Sequence, residues 1–198
     1  MGSIFNAMIE FFEEDDWEFS WVDDASVLSM GFSGKNGKWM CYAQAREEQQ
    51  QFVFYTVCPM NTPENKRAAL AEFITRANYG MIIGNFEMDW DDGEVRYKTS
   101  IDVEGATLSS PLIKQLVYSN VLIMDRYLPG LMAVMFGNAA PRDEINRIEG
   151  GYKSAPPVNG LHMVEDEIAV EDTHEFKDED TDDTYEDNDK TQPRVPEN

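Results

Sequence analysis

Ile4, Phe5, Met8, Phe11 and Phe12 fall on one side of a helical wheel. A half-buried helix imposes that spacing, because its side chains return to the same face about every 3.6 residues. The pattern predicts a first helix with Ser3 as its N-cap and its end near Glu14, where Asp15 and Asp16 would oppose the negative end of the helix dipole. A change to alternation follows. Phe19 to Val22 reads as a short strand, and Val27–Ser33 and Lys38–Arg46 read as two arms of a hairpin around the turn Gly34-Lys35-Asn36-Gly37. In the second arm Trp39, Cys41, Ala43 and Ala45 share one face. After the polar turn Glu47–Gln50, the aromatic and β-branched run from Gln51 to Cys58 reads as a further strand.

The period then returns to helical. Thr62-Pro63-Glu64 has the composition of a helix start, and Leu70, Phe73, Ile74 and Ala77 supply a buried stripe that ends at Asn78-Tyr79-Gly80. A second hairpin follows. Phe86, Met88 and Trp90 alternate with Glu87 and Asp89, Asp91-Asp92-Gly93 turns, and Val95, Tyr97, Thr99, Ile101 and Val103 alternate with Arg96, Lys98, Ser100 and Asp102. The polar faces of the two arms carry opposite charges, which predicts cross-strand ion pairs between Glu87 or Asp89 and Arg96 or Lys98. Ser110-Pro111 opens a long helix by serine-cap, proline-first logic, with a stripe of Ile113, Leu116, Val117, Asn120, Val121, Met124 and Leu128.

Pro129-Gly130 is expected to break that helix, leaving Leu131 to Phe136 as a separate segment that is apolar on every side. Such a segment is either internal or covered by another chain, as a dimer interface or a client groove. Leu131, Met132, Met135 and Phe136 are the candidate contacts for the second reading. Pro141 starts a short charged helix to about Glu149. Sequential hairpins flanked by helices predict an α+β fold, an antiparallel sheet of about five to six strands with helices against one face.

Composition adds a boundary. Residues 160–198 hold 15 acidic and 3 basic residues and almost no apolar ones beyond Phe176, so they cannot bury enough surface to offset chain entropy. The expected organisation is a folded domain over 1–150 and an acidic, disordered tail over 151–198, with 154–160 as linker. The net charge is −22 and the longest basic cluster is Lys66-Arg67, which argues against nucleic acid and anionic membranes as partners. No apolar run approaches the roughly 18 residues of a membrane span, no signal-peptide pattern is present, and two cysteines suit a reducing compartment; a cytoplasmic location is expected, or a stromal one.

Candidate chemistry is sparse. Read as a calcium loop from Asp89, the acidic run Asp89–Gly93 puts Gly93 at the fifth position and Ser100 at the twelfth, where an acidic ligand and glutamate belong. Cys41 and Cys58 have no CxxC spacing, and both histidines, His162 and His174, lie in the tail. A zinc site therefore lacks ligands and a cysteine nucleophile lacks a base. The expectation is no enzyme activity, no metal, no cofactor and no small-molecule substrate.

Ile83-Gly84-Asn85-Phe86-Glu87-Met88-Asp89 followed by Asp92-Gly93-Glu94-Val95-Arg96-Tyr97-Lys98 resembles the central hairpin of YbjN-domain proteins. Met124-Asp125-Arg126-Tyr127-Leu128-Pro129-Gly130 is similar to that family's C-terminal helix end. The resemblance spans about residues 3–148 and is nearest the branch found in cyanobacteria and plastids. It implies a curved sheet like that of type III secretion chaperones, a homodimer, and binding of partner polypeptides without catalysis. A non-enzymatic assembly chaperone or adaptor holding a segment of a client protein is the function it suggests. A carboxysome shell protein is one client class, because a chaperone of this fold assists shell assembly. The alternative is a regulator of signalling or stress responses acting through protein contacts.

Overall fold

The computed structural model describes residues 2–22 and 26–153. The chain divides into two units, Met1–Pro157 and Val158–Asn198, and all described residues belong to the first. The expected acidic tail lies, from residue 154 on, outside the described residues.

Helix α1 (Ser3–Glu14) precedes strands β1 (Ser20–Trp21), β2 (Val27–Ser33), β3 (Lys38–Arg46) and β4 (Gln51–Val57). Then come α2 (Arg67–Asn78), the hairpin β5 (Asn85–Met88) and β6 (Val95–Asp102), and helices α3 (Ser110–Phe136) and α4 (Pro141–Lys153). The six strands form one antiparallel sheet in the order β1-β2-β3-β4-β6-β5. This is the expected α+β class. Leu28, Met30, Trp39, Cys41, Ala43, Phe52, Phe54, Val95 and Tyr97 alternate onto one face and are buried, whereas Ser33, Met40, Arg46 and Ser100 on the other face are exposed. The helices cover the first face. Ile4, Phe5, Met8, Phe11 and Phe12 of α1 and Leu70, Phe73, Ile74 and Ala77 of α2 are the buried residues of those helices, as the periodicity predicts.

Helix starts depart from expectation. Ser3 lies inside α1 and Gly2 stands at the cap without a side-chain bond. The free amide of Phe5 instead donates to Glu47 Oε1 at 2.7 Å, a carboxylate brought from the β3–β4 connection. A short 3₁₀ turn, Glu64–Lys66, precedes α2, and the Thr62 hydroxyl is buried without a hydrogen-bond partner among the described residues rather than capping. For α3 the cap position is Ser109, one residue earlier than predicted, with Pro111 in the first turn.

The larger correction is at Pro129-Gly130. Helix α3 runs unbroken from Ser110 through Phe136. Proline has no N–H to donate to the carbonyl four residues back, here that of Asp125. Asn36, in the β2–β3 turn, donates its side-chain amide to that carbonyl at 2.9 Å, and its backbone N–H to Asp125 Oδ1 at 2.7 Å. Gly130 lets neighbours close in: a Cβ there would stand 2.6 Å from Ile148 Cδ1 of α4 and 2.9 Å from Phe73 Cζ of α2. The Pro-Gly pair thus serves packing at mid-helix, and the helix count falls by one. Helix α4 also runs four residues past its expected end near Glu149.

Candidate functional site

Helix α2 ends at Asn78, and Gly80 takes a left-handed backbone (φ +97°) that turns the chain out of the helix. The connection to β5 carries Met81, Ile82 and Ile83, an apolar run in a loop. Its path is fixed at the far end. The Tyr97 hydroxyl donates to the Ile83 carbonyl. Gly84 (φ +82°) lies so close to β6 that a Cβ would stand 2.9 Å from Tyr97 Cε1. Asn78 holds the start of β5 with both ends of its amide, accepting from Phe86 N at 2.7 Å and donating to Phe86 O at 3.0 Å. With Met81 packed partly against the core, the loop is pinned at both ends and turns Ile82 and Ile83 outward.

Those side chains stand in water. Tyr79 is 91% exposed, Ile82 96%, and on the neighbouring surface of α3 Leu122 is 61% exposed. With Ile83, Ile123 and Tyr127 they border a groove of about 680 Å³. Its polar rim is Ser119, Arg126 and Glu149. Arg126 donates to the carbonyl of Ile148 at 3.1 Å, and the Tyr127 hydroxyl donates to Glu149 Oε1 at 3.3 Å. Burial, followed by the neighbouring Glu149 carboxylate, pushes the Tyr127 phenol up to about 12, and burial does the same to Tyr97, so both stay neutral donors at physiological pH. Exposed apolar surface gathered in one place marks a contact surface more often than scattered single residues do.

The four residues singled out in the sequence stand elsewhere. Leu131 and Met135 are buried in the chain's own core, Met132 is half-buried against it, and only Phe136, at 52%, is substantially exposed. They do not make one exposed surface, because the unbroken α3 turns Leu131, Val134 and Met135 toward the core. The groove residues Tyr79, Ile82, Ile83 and Leu122 were not singled out. Two signals pointed to them: an apolar run after a helix-ending glycine, and Leu122 lying off the buried stripe of α3.

The described residues offer little for bond-making chemistry. Cys41 and Cys58 are buried and unpaired, and burial pushes their thiols up to about 12 and about 11. No histidine lies among the described residues, and none of their His, Cys, Asp and Glu side chains group in threes suited to a metal ion. The Asp89–Gly93 run is a turn: Asp89 Oδ1 accepts from Asp91 N and Asp92 Oδ1 from Glu94 N, both at 2.8 Å, while Gly93 has φ +79°. Asp89 therefore takes no part in the predicted cross-strand pairing. Glu87 alone meets Arg96, at 2.9 Å, and Lys98. No described helix is long and apolar enough to cross a membrane.

An open six-stranded antiparallel sheet covered on one face by four helices, with an apolar groove at their margin, defines an α+β protein. The family model described as "Putative bacterial sensory transduction regulator" matches residues 6–132, and the chain belongs to this YbjN family. Among solved structures the chain is similar to YbjN from E. coli, at 10% identity and a TM-score of 0.49, with 65% of this chain and 89% of that one covered. It is similar also to the Yersinia pestis type III secretion chaperone SycH in complex with a fragment of YscM2, at 12% identity and a TM-score of 0.41, covering 59% and 92%. The ExsC–ExsE complex matches at 12% identity and 0.46, covering 65% and 92%. No curated protein shows a significant match to the chain.

Proposed function

We propose that this protein is a non-enzymatic assembly chaperone or adaptor that holds an apolar segment of a client protein in the groove between the α2–β5 loop and α3. One observation carries the reading: Tyr79, Ile82 and Leu122 are all well over half exposed yet border the same groove. Leaving such side chains in water forgoes about 1.5–3 kcal/mol of burial for each, and a client segment laid over them recovers part of it. The acidic surface keeps the complex soluble and disfavours promiscuous self-association. The working unit is a homodimer in this reading, as the family resemblance implies, and sedimentation of the full chain tests that separately.

The test is a pull-down from native extract with the wild-type chain and with Ile82→Glu/Leu122→Glu. One stoichiometric structural protein, lost with the double variant, supports the chaperone reading; a carboxysome shell protein would fit the resemblance. The description attached to the family favours a second reading, a regulator of signalling through protein contacts. Retention of kinases or transcription factors instead of a structural client would decide for it. Identical captures with the wild type and the double variant would remove the groove from either account.

A further inference from the structure

We infer that the outer edge of β2 at Gly31–Ser33 is a second binding surface, built to receive an extended, basic peptide segment as an added strand. The argument starts from register. Ala45 N donates to Ser26 O and Gly34 N to Gly37 O, so the even-numbered residues of β2 direct their backbone groups at β3. The odd-numbered residues direct theirs outward. Val22 N donates to Val27 O, and Ser20 pairs with Ser29, so β1 covers the outward groups of residues 27 and 29. It stops there. The N–H and C=O of Gly31 and of Ser33 make no hydrogen bond among the described residues.

The chain that would have continued β1 bends away. Asp16 has a left-handed backbone (φ +56°), and the Trp17 ring stacks on Phe32 at 5.5 Å. A hollow of about 310 Å³ remains between residues 15–18 and the bare edge, bordered also by Tyr118. Three acidic residues, Asp15, Asp16 and Glu18, line it. Asp15 is neutralised by Lys114 at 2.7 Å and also accepts from the Tyr118 hydroxyl, but Asp16 and Glu18 are exposed and make no ion pair among the described residues. On the opposite side of the same edge, the open sheet face offers a hollow of about 620 Å³ where Gly31 leaves space beside Met40, Tyr42 and Val57; Lys38 borders it. An added strand places alternate side chains on the two faces. The site therefore reads a basic side chain toward Asp16 and Glu18 and an apolar one toward Met40 and Val57. A second copy of this chain, or any acidic segment, would set like charges together. The other sheet edge is closed to the same use at Phe86, whose outward groups Asn78 occupies.

The test uses the full chain, isotope-labelled, and a six-residue peptide of alternating lysine and valine. Expected are shifts of the Gly31 and Ser33 amide resonances and at least tenfold slower exchange of those two amides. Binding should weaken at least tenfold for the same peptide methylated at every backbone nitrogen, for a glutamate–valine peptide, and for Gly31→Pro. That proline removes only an outward donor and lies on an edge strand, where the residue is tolerated, and a thermal melt confirms that the variant is folded. Ile82→Glu/Leu122→Glu should bind the peptide as the wild type does, which separates this edge from the groove. Absence of binding at millimolar peptide overturns the inference. So does binding that leaves the Gly31 and Ser33 amides unprotected or ignores backbone methylation.

Discussion

Asn36 donates its side-chain amide to the carbonyl of Asp125 at 2.9 Å, the acceptor that Pro129 leaves without its usual helical donor. The same turn residue receives the Asp125 carboxylate on its backbone N–H at 2.7 Å. A hairpin tip thereby completes a helix distant in sequence. The geometry also accounts for the flanking glycines. A Cβ at Gly37 would stand 2.6 Å from Leu128 Cδ2, and one at Gly34 would stand 2.6 Å from Trp39 Cη2. Neither Lys35 nor Asn36 has a positive φ, so close approach, and not the mirror-image turn common at Asn-Gly, selects this tetrapeptide.

Asn36→Ala should therefore destabilise the domain by about 1 kcal/mol, in the range for a hydrogen bond whose loss water can partly repair. Pro129→Ala restores an N–H facing Asp125 O. The double variant should lose less than the sum of the singles, a coupling that a denaturant double-mutant cycle measures. Strict additivity would mean that the two residues act independently.

Glu87 carries the charge pairing of the second hairpin. Burial raises its carboxyl, but hydrogen bonds and attraction from Lys98 and Arg96 outweigh that and hold it below the usual glutamate value. A group depressed in the folded state stabilises it above the unfolded value, near 4.3, and the contribution disappears as pH falls through the folded value. Glu87→Gln should cost about 1 kcal/mol or less between pH 5 and 7, because the carboxylate is still a quarter exposed. The gap between wild type and variant should close below about pH 4 in thermal melts. A gap that widens on acidification would reverse the sign of the argument.

Where periodicity governs, sequence and structure agree residue for residue. The five buried positions of α1, the four of α2 and the alternation in β3 and β6 all follow from one-sided burial. What escaped depends on distant contacts. Ser3 and Thr62 have the chemistry of caps, but Glu47 reaches the α1 amide first and Thr62 is buried instead. Pro129 tends to break a helix in isolation; here α3 runs on, with Asn36 of the docked hairpin serving the carbonyl that the proline leaves without its helical donor. The same expected break left the Leu131–Phe136 segment open between core and interface. With α3 unbroken, Leu131 and Met135 face inward while Phe136 stays exposed, and exposed apolar side chains gather around one groove at Tyr79, Ile82 and Leu122.

Cys41 and Cys58 are buried, with thiols pushed up to about 12 and 11, and both lie far from the thiolate form that reacts. A thiol reagent at pH 8 should label neither until the sheet opens. The labelling rate should rise with denaturant in step with the unfolded fraction, and both sites should react together. Rapid stoichiometric labelling of one cysteine in the native chain would contradict its burial.

The two apolar surfaces near α3 make opposite predictions for the same kind of substitution. Met135 is buried in the chain's own core, near the end of α3. Met135→Asp places a carboxylate where no partner stands, a change of the class that costs several kcal/mol and unfolds a marginal domain. Ile82 and Leu122 already stand in water, so Ile82→Glu and Leu122→Glu should each move stability by about 0.5 kcal/mol or less. Urea melts of the three variants separate the cases. A folded Met135→Asp chain would return that residue to the surface and restore the Leu131–Phe136 segment as a partner site. Unfolding by Ile82→Glu would show that the loop is part of the core, and the groove would then have no free wall against which a client could lie.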